Sequence, residues 1–184
     1  MTHYALRAIS MLLVVLATVA CGGGAQGASP QPKAATFDEF GTAYCAAWDE
    51  LFTAIGNPDT GSVSALRAEF EKAVTAGDTV SAERLAATIT GRLEAGRAHV
   101  AVASGWQSAG PMLAQLDRVF LAFEAMVAAK RAEVTNDPGA LTAQAAFEKA
   151  GGVEAWRAMF EAGRTMQRPA NAGDRRCPTV PLGY

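Results

Sequence analysis

The feature that most constrains this chain is the spacing of its apolar residues, which from residue 36 onward recur every three or four positions and nowhere alternate over a useful length. That period belongs to a helix of 3.6 residues per turn and not to the two-residue repeat of a strand. Phe37, Phe40, Tyr44, Trp48, Leu51, Phe52 and Ile55 make one aromatic-rich stripe, closed by Gly56-Asn57-Pro58. In front of it, Thr36-Phe37-Asp38-Glu39 has the spacing of a capping box, where hydroxyl and carboxylate each accept a hydrogen bond from the other residue's backbone N–H. A second helix is expected from about Val63 to Ala76, with Val63, Leu66, Phe70 and Val74 facing inward.

From Thr79 to Ser104 the inward positions are Ala82, Ala86, Ile89, Leu93, Gly96, Val100 and Ala103. Small residues on such a seam let two helices approach closely. Pro111 suits the first turn of a fourth helix, with Leu113, Leu116, Phe120, Phe123 and Val127 as its stripe. Asn136-Asp137-Pro138 breaks it, and a shorter fifth helix comes next, around Leu141 to Lys149. Gly151-Gly152 separates a sixth, with Val153, Trp156, Phe160 and Gly163 on one face, ending before Pro169. No strand is expected. The predicted fold class is all-α, a bundle of five to six helices. Phe70-Glu71-Lys72-Ala73 recurs as Phe147-Glu148-Lys149-Ala150, an echo that reads as convergence in an Ala-rich helical sequence, with a duplicated hairpin as the alternative.

The first twenty residues have a different character. Met1 to Arg7 carries the amine and one Arg, and Ala8 to Ala20 is an uncharged, mostly apolar run of 13 residues. Such a run fits the apolar part of a signal peptide and is short for a bilayer-spanning helix, which needs about 20 residues. It ends in Ala20-Cys21-Gly22-Gly23-Gly24. This junction resembles the lipobox of bacterial lipoproteins, although Thr18 and Val19 stand where that family usually shows Leu and a small residue. The resemblance covers residues 1–21 and implies acylation of the Cys21 thiol and cleavage before it. The competing reading is an ordinary secretory signal with an incidental Cys. Gly22 to Ala35 is rich in Gly, Ser, Pro and Ala and reads as a flexible tether. The expected layout is a signal peptide over 1–20, a lipidated Cys and tether over 21–35, and a helical domain over 36–184. That domain is similar in style to small secreted lipoproteins of GC-rich bacteria, without a motif of any characterised activity. The implied location is the cell envelope, on the non-cytoplasmic side of a bacterial membrane.

Cysteine count fits this layout. The chain holds Cys21, Cys45 and Cys177, and an odd number in an exported protein asks for an explanation. Lipidation of Cys21 would leave one pair, free to oxidise outside the cytoplasm. A Cys45–Cys177 disulfide is therefore expected, tying the Pro-rich C-terminal tail back to the first helix. Two separate buried thiols are the alternative.

Residues capable of chemistry are sparse. Removing residues 1–20 takes Arg7 and no acid, leaving 15 basic against 18 acidic side chains. That balance lacks the clustered cations with which a nucleic-acid binder displaces counterions. His99 is the only His after residue 20, so a metal site or catalytic base there is not expected, and no haem-attachment, zincin or nucleophile-elbow motif occurs. Asp117 and Glu124 lie seven apart on one side of the fourth helix and read as partners for Arg84 or Arg92 on the third. Met112, Met126, Met159 and Met166 read as core gap-fillers and not as soft-metal ligands. Trp106, alone in the polar Ser104–Gly110 connection, either covers the bundle end or forms the lip of a pocket.

No catalytic residue, metal ligand or cofactor is expected. The functional expectation is a surface-tethered binding or adaptor module for an unknown protein or small molecule, reaching the membrane through its N-terminal lipid. A carboxylate-dependent envelope enzyme and a purely structural envelope protein are the alternatives.

Overall fold

The computed structural model describes residues 36–135 and 139–184. The expected signal peptide, Cys21, tether and Asn136-Asp137-Pro138 break lie outside the described residues. The described residues belong to one compact unit.

Helix α1, Phe37–Ala54, opens on the expected capping box. The Glu39 N–H donates to Thr36 Oγ1 at 3.2 Å, and the Thr36 N–H donates to Glu39 Oε2 at 2.7 Å. Gly56-Asn57-Pro58 stops the helix, and the stretch down to Ser64 overturns two expectations. Gly56–Asn57 (β1) pairs antiparallel with Ser62–Val63 (β2) in a small hairpin, where no strand was expected. The hairpin takes Val63 out of the second helix and leaves it 46% exposed. Gly56 at φ 104° makes the turn, since a Cβ there would strike the Ser62 carbonyl. Helix α2 accordingly starts late, at Ala65–Thr75, because Ser64 is its N-cap. The Ser64 hydroxyl accepts from the Arg67 N–H at 3.0 Å and donates to the Ala54 carbonyl at 3.0 Å, joining the end of α1 to the start of α2.

Helices α3, Thr79–Ala103, and α4, Gly110–Ala132, form the centre. Helices α1 and α2 pack on α3, and α5 (Ala143–Lys149) and α6 (Gly152–Arg164) pack on α4. The seven positions expected inward on α3 and the five on α4 are all buried. At Gly96 the backbone of α3 comes so near α4 that a Cβ would overlap the Phe120 ring. Pro111 occupies the first turn of α4 as its fixed φ allows. The described residues thus form six α-helices around one core.

Helix α6 corrects a third expectation. Its buried face is Gly152, Ala155 and Met159, not the aromatic stripe. Val153 is 38% exposed, and Trp156 and Phe160 are half-buried. Small and thin side chains face the neighbouring helix because the rings are too large for that seam. The rings lie on its flank, where Trp156 meets Trp48 of α1 edge-on at 5.6 Å.

After α6 the chain runs back over α1 without helix. Cys177 is bonded to Cys45, with the two Cα atoms 5.1 Å apart. A short hairpin carries this tail: the Cys177 N–H donates to the Leu182 carbonyl at 2.9 Å, and the Tyr184 N–H to the Arg175 carbonyl at 3.0 Å. Tyr184 lies against Phe37, Phe40 and Tyr44, over Gly41, where a Cβ would overlap its ring.

Candidate ligand cleft at the tail end of the bundle

The structure brings three of the four domain methionines to one place. Met112 from α4, Met159 from α6 and Met166 at the start of the tail line a cleft of about 240 Å³ together with Tyr44, Phe160, Leu182 and Tyr184. Gly163 keeps one wall thin, because a Cβ there would lie 3.2 Å from the Met112 sulfur. Met126 stays apart, buried on α4. All four fill core gaps as expected, and three of them also make a pocket wall. The spacing Ala155, Met159, Met166 carried that information, but the more conspicuous aromatic stripe on the same helix masked it.

Charge in the cleft is one-sided. Arg164 and Arg168 are among its lining residues, and no lining side chain is a carboxylate. Both form exposed pairs: Arg164 with Glu161 at 2.9 Å, and Arg168 with Asp174 at 3.7 Å. Exposed pairs of this kind contribute little. Burial pushes the Tyr44 phenol up to about 12, against the opposing pull of its contact with Trp48 and of the Arg168 charge. Two cations beside three thioethers disfavour a soft metal cation there, since like charges repel in a poorly solvated site.

The remaining singled-out residues fall elsewhere. Asp117 and Glu124 do bind an Arg of α3, but it is Arg97, not Arg84 or Arg92. Arg97 Nε donates to Asp117 Oδ1 at 2.8 Å, and its Nη1 is 3.7 Å from Glu124 Oε1. Arg92 instead pairs with Glu50 of α1 at 3.0 Å. Arg97 is reached because it lies one turn beyond Leu93 on the edge of the α3–α4 seam, level with both acids. Glu124 also borders a second cleft, about 470 Å³, with Glu94, Arg131 and small residues of α3 and α4. Burial raises the Glu124 carboxyl above its ordinary range, opposed by Arg97 and helped by the Glu94 and Asp117 charges.

Trp106 covers the bundle end, half-buried, with its ring edge-on to Phe37 at 5.5 Å. His99 is half-buried on α3, in an open groove with Asp38, Glu39 and Val102. Among the described residues no three His, Cys, Asp or Glu side chains are grouped to hold a metal ion, and no helix is long and apolar enough to cross a membrane. Comparison with protein-family models, curated proteins and solved structures found no match for the chain. Fold and cleft together define a class by architecture: a disulfide-latched helical bundle with a methionine-walled, cation-rimmed cleft.

Proposed function

We propose that this chain is a lipid-anchored envelope protein whose helical domain binds a small, largely apolar molecule without transforming it. The observation that carries the binding reading is the cleft itself. It gathers large thioether and aromatic side chains from separate parts of the fold around a concave space, the usual character of a small-molecule site. Its side chains are two phenols, two guanidiniums and apolar groups, with no carboxylate, imidazole or thiolate to serve as a base at neutral pH. An envelope enzyme working through Asp117 and Glu124 has less support, because Arg97 engages both acids. The anchor reading rests on the apolar run ending at Cys21.

Two measurements test the two halves. In bacterial cells expressing the full chain, an alkyne-tagged palmitate is expected to label the protein and to be lost in Cys21→Ser; label retained in that variant would sink the anchor. Native mass spectrometry of the domain, secreted under oxidising conditions, is expected to show a reproducible extra mass. A bare domain would move the reading to a protein partner or a structural role.

A further inference from the structure

Resting on the cleft reading above, we infer that the ligand is a monoanion with a compact apolar body, a small organic carboxylate, with the Arg164 and Arg168 guanidiniums taking its head group. Three observations converge on that chemistry. The cleft wall of Met112, Met159 and Met166 offers no fixed polar partner, so the buried part of the ligand is apolar. The only charged side chains lining the cleft are the two guanidiniums, and these side chains are 72% and 38% exposed. Their resident partners, Glu161 and Asp174, hold them in exposed pairs that contribute little, so an incoming carboxylate whose chain is seated in the cleft competes for them at small cost.

Size follows from the volume. At roughly 30 Å³ per water-sized group, a space of about 240 Å³ takes about eight non-hydrogen atoms. Octanoate has about ten non-hydrogen atoms, so its chain of roughly seven carbons fits that space with the three-atom carboxylate left at the guanidiniums.

The described residues form a compact unit with its own core and its own disulfide, so a chain of residues 32–184 serves for the test as an independently folding piece. With methyl-labelled methionine it carries four reporters, of which Met126 lies away from the cleft. Octanoate, octanol and octylamine share the chain and differ in the head. Octanoate is expected to shift the Met112, Met159 and Met166 methyls saturably and leave Met126 in place. It should bind roughly tenfold more tightly than octanol, as charge-assisted hydrogen bonds allow, with octylamine weakest. The Arg164→Gln/Arg168→Gln variant is expected to bring octanoate down to the octanol affinity and leave octanol unchanged. Equal affinities for octanoate and octanol in the unaltered protein would overturn the anion inference and leave the cleft reading standing. No movement of the three methyls with any of the compounds would overturn both.

Discussion

The α3–α4 seam and the tail-covered end of α1 bury side chains by opposite means. Around the seam, two long regular helices bury a repeating set of small, aliphatic and aromatic residues, from Ala82 to Ala103 on α3 and Met112 to Val127 on α4, against each other and against their flanking helices. Each contact there is supported by the next turn of helix. At the α1 end, the cover is a non-helical tail held by one covalent bond, a short hairpin and the ring of Tyr184. Regularity distributes stability over many contacts, whereas the tail concentrates it in few, and the cleft lies where the second kind of packing supplies the wall.

The largest break in this comparison is expected from the disulfide. Closing a separation of 132 residues stabilises by roughly 4–5 kcal/mol in the chain-entropy model. Cys45→Ser/Cys177→Ser should lower stability in urea by up to that amount. It should also raise hydrogen exchange at residues 175–184 far more than on α3 or α4. Uniform loosening of both regions would show that the tail is not a separate latch.

Alkali should act at the same end. The Tyr44 phenol ionises near 10 in the unfolded chain and at about 12 in the fold. Its contribution is therefore fully present below pH 10 and is lost as pH rises toward 12, by roughly 3 kcal/mol in all. Urea titrations of the native protein and Tyr44→Phe should diverge above pH 10. Parallel curves would mean that the phenol is better solvated than its surroundings indicate.

The smallest effect sharpens the contrast most directly. Gly96→Ala and Gly41→Ala add the same methyl group, each against an aromatic ring. Phe120 is fully enclosed by the seam, so crowding it should outweigh the gain in helix propensity and leave a net loss of about 1 kcal/mol. Tyr184 is half-buried with solvent beside it and can swing outward. Gly41→Ala should leave thermal stability nearly unchanged while displacing the tail ring, visible as altered tyrosine chemical shifts. Equal losses at both positions would erase the distinction between the regions.

How far the fold was legible follows the same division. On α3 and α4 the periodic residues lie where the pattern put them, because a regular helix converts spacing into direction without outside help. Val63 failed because Ser64 caps α2 and a hairpin competes for the residue before it. On α6 two stripes one residue apart were both helical, and only the room available beside α4 decided between Met159 and Trp156. The tail was legible only through cysteine arithmetic: nothing local in Arg175 to Tyr184 announces a hairpin or says that Tyr184 will sit over Gly41. Arg97 and the cleft were missed for a related reason, since each depends on residues brought level from separate helices.

The distance in sequence between Cys45 and Cys177 also sets an order of events. During synthesis, the first cysteine emerges with α1 and has no partner within the domain until the sixth helix has come after it. Helices α1 to α6 are then already able to pair through neighbouring contacts, which form faster than distant ones. No cysteine lies between these two, and Cys21 is the one other thiol in the sequence that could pair with Cys45 first. The native bond therefore closes late, once the helices have brought α1 and the tail together, and modification of Cys21 would remove the one competing thiol.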